Sequence, residues 1–263
     1  TFDYTHYYAS QVTTSGTVRG NSGSALLRRP GSFSVGMIDT GVAGHPALAG
    51  PQVVSRDFSR GQSAIPTGHG TAVASILVSA GAKSIHVANI FRGGEAAQFT
   101  SADSIVSALE WMVASRVPVI NMSLSGPRNA ILDRLIQRSS ARGAVIVAAA
   151  GNSGPSAPPA YPAALPSVIA VTAVDSNLRV YRYANQGSYL DVAARGVNEP
   201  AAKASGGTAL FTGTSFATPH VAAWLANCMT AATAAACTQR LIANARDLGQ
   251  PGFDPVYGHG LVR

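Results

Sequence analysis

Buried-strand and amphipathic-helix patterns alternate along most of this 263-residue chain. Val35-Gly-Met-Ile-Asp39 is a short apolar run that stops at Thr40-Gly41, a turn signal, so it predicts a buried strand with Asp39 at its carboxyl end. From Gly70 the small and apolar residues Thr71 to Val78 predict a packed helix with His69 at its start, and Ile85 to Phe91 predict the next strand. Asp103 to Ser115 puts Ile105, Val106, Leu109 and Met112 on one face, an amphipathic helix capped by Ser101 or Asp103. Val117 to Met122 and Ala144 to Ala150 are β-rich runs joined by a helical pattern from Ala130 to Arg142 that ends at Gly143. After a Pro-rich loop, Gly154 to Pro166, the run Val168 to Val174 adds a strand. Two helices, at about 216–229 and 237–246, complete the series.

Strand, helix, strand with parallel connectivity predicts a three-layer α/β protein: a mostly parallel central sheet with helices on both faces. No repeat or low-complexity linker interrupts it, so residues 1–263 are expected to form one domain, with 1–33 as an N-terminal extension packed on it. Ligands of such folds bind beyond the carboxyl ends of the strands, and Asp39, Ser123 and Asn152 all fall there.

Charge changes this picture little. Nineteen Lys and Arg against twelve Asp and Glu give +7, and seventeen of the nineteen are Arg. They are scattered, with Arg28-Arg29 the only adjacent pair, and no basic run is interleaved with aromatics, so a nucleic-acid partner is not expected. No apolar stretch reaches the ~20 residues that span a bilayer, and the polar, Tyr-rich start has no signal-peptide core. A monomer without a membrane partner is expected. Cys228 and Cys237 are the only cysteines. Their spacing fits a disulfide, which would add about 2.5–3 kcal/mol in the chain-entropy model and suit a secreted or periplasmic protein. Two buried thiols are the alternative. A zinc site is disfavoured, since no further Cys or paired His lies nearby.

Chemistry concentrates in three segments: Ile38-Asp39-Thr40-Gly41, Gly68-His69-Gly70-Thr71-Ala72-Val73-Ala74, and Gly213-Thr214-Ser215-Phe216-Ala217-Thr218-Pro219-His220. A serine hydroxyl is a weak nucleophile at neutral pH and needs an imidazole to take its proton, while a buried carboxylate on the far ring nitrogen holds the useful tautomer. The three segments together resemble the signature motifs of the subtilisin family, whose Asp, His, Ser order is the one found here. The resemblance runs from about Val35 to Val262 and implies a serine endopeptidase acting through an acyl-enzyme, with Asp39, His69 and Ser215 as catalytic triad. It also assigns Asn152, in Ala148-Ala-Ala-Gly-Asn152, as side-chain donor to the oxyanion, beside the Ser215 amide at a helix start. Asp39-Thr-Gly matches an aspartic-protease motif as well, but that chemistry needs a second Asp-Thr/Ser-Gly, and none occurs.

The same resemblance implies a protein or peptide substrate that pairs as an added strand with Ser123, Leu124, Ser125 and Gly126. Ala150, Gly151 and Ala160 would line the primary specificity pocket, and Ile105 with Leu124 a second apolar pocket. None of these wall positions is acidic, so an apolar or broad preference is expected. The chain's own pro-segment is a candidate inhibitor. No cofactor is expected to be required. The Asn-rich loop that binds calcium in many relatives has little room between Val78 and Lys83, so the strong calcium site is expected to be absent and no metal ligands are assigned. The closing Val256 to Val262 looks like the family's terminal strand. His220 and His86 read as packing and satisfied core residues, His6, His45 and His259 as surface or loop residues, and Tyr4, Tyr7 and Tyr8 as packing of the terminus or a dock for a pro-segment.

Overall fold

The computed structural model describes residues 32–59, 68–92 and 99–262, together with the backbone of two short strands before them. Tyr4 and His6, and most of the N-terminal extension, lie outside the described residues.

In chain order the strands are β1 (Tyr7–Tyr8), β2 (Thr13–Thr14), β3 (Phe33–Asp39), β4 (Gln52–Asp57), β5 (Ala82–Asn89), β6 (Thr100–Ser101), β7 (Val119–Met122), β8 (Val145–Ala149), β9 (Val168–Val174), β10 (Val192–Arg195), β11 (Glu199–Ala202) and β12 (Thr208–Thr212). The helices are α1 (Gly68–Ser79), α2 (Ala102–Ala114), α3 (Ala130–Ala141), α4 (Thr214–Cys228) and α5 (Ala234–Ala243). Seven strands form one sheet in the order β10-β9-β8-β7-β3-β5-β4, and every neighbouring pair is parallel. Two small antiparallel sheets flank it: β1 with β6, and β11-β12-β2.

The pleat explains the layers. Alternate side chains of one strand point to opposite faces, so Val145 and Val147 join the apolar core under α1 and α4, while Ile146 and Ala148 join the core under α2 and α3. Met37 and Ile38 divide in the same way. Both faces are covered, which is why these strands read as continuous apolar runs. This is a three-layer α/β fold with a parallel central sheet covered by helices on both faces.

Several element boundaries move from their sequence-based positions for local reasons. Helix α1 starts at Gly68, so His69 lies inside its first turn. Ser101 takes the cap position of α2 and Asp103 falls in its first turn. Asn129 caps α3 by accepting from the N–H groups of Ile131 and Leu132 at 3.0 and 3.1 Å. Helix α5 begins three residues before Cys237, because Thr233 accepts from the Ala236 N–H at 3.3 Å and the intervening alanines are strong helix formers. The expected cysteine pairing is present: Cys228 at the end of α4 is disulfide-bonded to Cys237 in α5, with Cα atoms 5.8 Å apart.

The terminal strand is not formed. Gly258 and Gly260 adopt left-handed φ of 63° and 107°, which turns the chain, and the segment makes only isolated bridges, Leu261 to Ala193 and Arg246 and Gly258 to Asp254. Strands β4 and β10 and the β11–β12 hairpin have no counterpart in the sequence pattern. Strand β4, Gln52-Val-Val-Ser-Arg-Asp57, is an exposed sheet edge without an apolar run.

Candidate active site

Strand β3 ends in Asp39, and the turn after it brings Thr40 and Gly41 against the first turn of α1. The approach is close: a Cβ on Gly70 would stand 2.6 Å from the Thr40 carbonyl oxygen. Thr40 Oγ1 accepts from the Gly70 N–H at 2.9 Å, which docks the helix start on the strand end. His69 is thereby buried beside Asp39, and its Nδ1–H donates to Asp39 Oδ1 at 2.7 Å, with both side chains fully excluded from solvent. The Thr40 N–H donates to the same carboxylate oxygen at 2.6 Å. The other ring nitrogen, His69 Nε2, is buried without a partner among the described residues. The imidazole is therefore fixed with one face of its chemistry still open.

Ser215 arrives from a different direction. Gly213 caps α4 with a φ of 148°, and Ser215 is the second residue of the helix, so its N–H has no acceptor within α4. The ring of the following residue, Phe216, packs 5.3 Å from the His69 ring. The Ser215 hydroxyl is not bonded to His69 here. It donates to the Ser123 carbonyl at 3.3 Å. Ser123 in turn donates its own hydroxyl to the Ser215 carbonyl at 2.8 Å.

Asn152 lies just past the end of β8. Its Oδ1 accepts from both the N–H and the hydroxyl of Thr214, at 2.9 and 3.0 Å, which fixes Nδ2 as the donor end of the amide. Thr214 Oγ1 also accepts from the Gly151 N–H at 3.2 Å. Thr214 thus locks the Asn152 loop onto the start of α4, a role that its place beside Ser215 in the sequence did not reveal.

The predicted substrate residues divide. Ala150 and Gly151 are buried and Ala160 is partly exposed. The Tyr189 hydroxyl donates to the Ala150 carbonyl at 2.8 Å, and burial pushes this phenol's pKa up against the opposing pull of the Ala160 main chain and the Asn185 amide. Tyr189 therefore ties two of the expected wall positions together. Asn185 holds the loop between them, accepting from the Ser153 N–H at 2.8 Å and donating to the Pro158 carbonyl at 3.2 Å. Neither residue is marked by a local motif. Gly126 pairs with Tyr161 through both its N–H and its C=O, at 2.9 and 3.0 Å, so its N–H is already used within the chain. Ile105 and Leu124 are 0 and 1% exposed and belong to the core under α2 and α3. In this structure they present no exposed surface to a substrate side chain.

The remaining histidines lie elsewhere. His220 is not simply packed: its Nε2 lies 3.0 Å from Glu199 Oε1, joining α4 to β11. His86 packs at a tilt against Trp111 with ring centroids 5.6 Å apart, and its buried Nδ1 has no partner among the described residues, so it is not a satisfied core histidine. Burial lowers its pKa. His45 is a loop tie, bonded to the Gly207 carbonyl at 3.0 Å. The described residues contain no cluster of three or more His, Cys, Asp or Glu positioned to hold a metal ion.

Residues 31–260 match the sequence model of the Subtilase family. The chain belongs to this family of serine endopeptidases. It is 35% identical over 251 residues to Subtilisin DY of Bacillus licheniformis, covering 88% of this chain and 89% of that protein. It is 32% identical over 252 residues to Subtilisin E of Bacillus subtilis strain 168, where it spans only 64% of the relative's length. The solved structure of the prenylagaramide maturation protease PagA superposes with a TM-score of 0.75 at 25% identity, covering 88% of this chain and 90% of that one.

Proposed function

We propose that this subtilase hydrolyses peptide bonds through an acyl-enzyme, with Ser215 as nucleophile, His69 as general base and acid, Asp39 as the carboxylate that orients it, and Asn152 as oxyanion donor. The buried 2.7 Å bond from His69 Nδ1 to Asp39 Oδ1 carries this reading, because it fixes the tautomer in which Nε2 is the basic nitrogen. Ser215 Oγ attacks the scissile carbonyl carbon as its proton passes to Nε2, and the C=O electron pair moves onto oxygen. Asn152 Nδ2 and the Ser215 N–H donate to that oxyanion. Collapse breaks the C–N bond, and the amine leaves with the proton from Nε2. Water then repeats the sequence on the acyl-enzyme. A fluorophosphonate probe tests the assignment: native protein should be labelled on Ser215, and absence of an adduct there would refute it.

For the substrate, the reading is an extended peptide paired along Ser123 to Ser125, with Ala150, Gly151 and Ala160 around its primary side chain and an apolar or broad preference. A proteome-derived peptide library separates this from a dedicated processing enzyme, whose cleavages would share a long, restrictive consensus. The protein is proposed to act as a secreted or periplasmic monomer held inactive by its own pro-segment. The relatives and the disulfide support that location, and no helix among the described residues is long and apolar enough to cross a membrane. No metal is assigned to the chemistry. Helix α1 passes into β5 through Ala80 and Gly81 alone, which supports the absence of a calcium loop there. A chelator should leave the melting temperature unchanged; loss of a metal held at 100 times its dissociation constant would remove about 2.7 kcal/mol.

A further inference from the structure

We infer that Ser123 and Asn121 are positioning residues for the nucleophile, and that the peptide-pairing edge and Ser215 are one mechanical unit. This rests on the assignment of Ser215 as nucleophile. Three buried bonds define the unit. The Asn121 amide donates Nδ2–H to Ser123 Oγ at 2.9 Å, Ser123 Oγ–H donates to the Ser215 carbonyl at 2.8 Å, and Ser215 Oγ–H donates to the Ser123 carbonyl at 3.3 Å. Asn121 and Ser123 have no exposed surface, and Ser215 is 3% exposed. Two serines 92 positions apart in sequence thus clasp each other reciprocally, one from the end of β7 and one from the start of α4.

Each bond has a consequence. The carbonyl of Ser215 lies in the first helical turn, so holding it fixes the pitch at which the side chain leaves the backbone. Asn121 donates into Ser123 Oγ and thereby directs the single hydroxyl hydrogen of Ser123 away from itself, toward Ser215. The return bond explains why the Ser215 hydroxyl is not bonded to His69 and Nε2 stays unpartnered. The Ser123 carbonyl lies on the edge that receives substrate. A peptide N–H arriving at this oxygen competes with the Ser215 hydroxyl for it, and a released hydroxyl has the unpartnered His69 Nε2 as an acceptor. Substrate pairing and nucleophile activation are coupled through one oxygen atom.

The experiment compares Ser123→Ala and Ser123→Thr with the parent enzyme, using peptide hydrolysis and the inactivation rate with a small fluorophosphonate that has no peptide backbone. Ser123→Ala keeps the edge carbonyl and removes only the hydroxyl. Its kcat and its fluorophosphonate rate should both fall about tenfold, the size expected from losing one buried hydrogen bond at a site that demands exact orientation, with KM within about twofold. Ser123→Thr should recover most of both. Asn121→Ala should reproduce the kcat loss in weaker form, about threefold, and add nothing to Ser123→Ala in the double variant. A rise in KM with kcat and the fluorophosphonate rate unchanged would overturn the inference, because the Ser123 side chain would then serve only the edge. Additive losses in the double variant would overturn the role of Asn121. Failure of the parent enzyme itself to react with the probe would instead reject Ser215 as nucleophile.

Discussion

The two ends of the central sheet are built in opposite ways. At the carboxyl end, Asp39, His69, Ser123 and Ser215 are all buried, and each is bonded to a residue from a different element. At the amino end, a groove of about 750 Å³ opens between the last turns of α2 and α3, where the chain enters β7 and β8. Its charged lining residues, Glu110, Arg116, Arg138 and Arg142, are all exposed. The groove is roomy, yet its charged groups are exposed and keep their water. Chemistry needs groups already desolvated and held at fixed distances, which is why the proposed site is placed at the drier end.

That contrast makes graded predictions. Ser215→Ala should reduce turnover by about 10⁶, the loss found for the triad serine of subtilisin itself, while leaving the melting temperature nearly unchanged; peptide hydrolysis alongside calorimetry reads both. Retention of more than about a hundredth of the activity would mean that another residue is the nucleophile. Asn152→Ala should cost about 10²–10³ in kcat with little change in KM, again by the precedent of subtilisin. A mainly KM effect would move Asn152 from the oxyanion to the binding wall.

Replacing Cys228 and Cys237 by serine tests the far end of the helix that carries Ser215. Helix α4 begins at the site and ends at Cys228, about 20 Å away at 1.5 Å per residue. Loss of this short loop closure should lower stability by about 2.5–3 kcal/mol in the chain-entropy model, or about 5–10 °C in Tm for a chain of this length. At a temperature where both forms are folded, kcat should stay within about twofold. A large kcat loss would show that the disulfide sets the angle of the Ser215 turn, and would make the dry end less self-contained than its bonds suggest.

Much of this was legible in the sequence because the residues concerned sit in local patterns. Strand β9 was bounded correctly by its apolar run alone, and Asp39, His69 and Ser215 stand in glycine-flanked segments that name the family. What escaped is non-local. The bond between Ser123 and Ser215 spans 92 positions, and those from Thr214 to Asn152 span 62; no window of sequence contains either. Tyr189 reads as an ordinary loop aromatic until the fold sets its hydroxyl against Ala150. At Ile105 the ambiguity is of another kind: an apolar side chain on a helix face fits a pocket wall and a core equally well, and packing places it, with Leu124 from the loop after β7, in the core.

The amino-end groove gives the smallest expected effect and the sharpest check on the contrast. Arg138 lies in the last turn of α3 and Arg142 caps its carboxyl end, so both positive charges belong to the negative end of a helix dipole. Neither makes an ion pair with the described residues, and both are exposed. Replacing both by alanine should therefore lower stability by no more than about 1 kcal/mol, a loss that fades in ~1 M salt as the dipole interaction is screened. Urea unfolding at low and high salt measures it. The value of kcat/KM for a neutral peptide should stay within about twofold, since no buried bond leads from these side chains through β7 or β8 to Asn121 or Asn152. A tenfold loss in kcat/KM that persists in high salt would mean that the groove is coupled to the site through the sheet, and the division between a dry catalytic end and a wet, indifferent one would have to be abandoned.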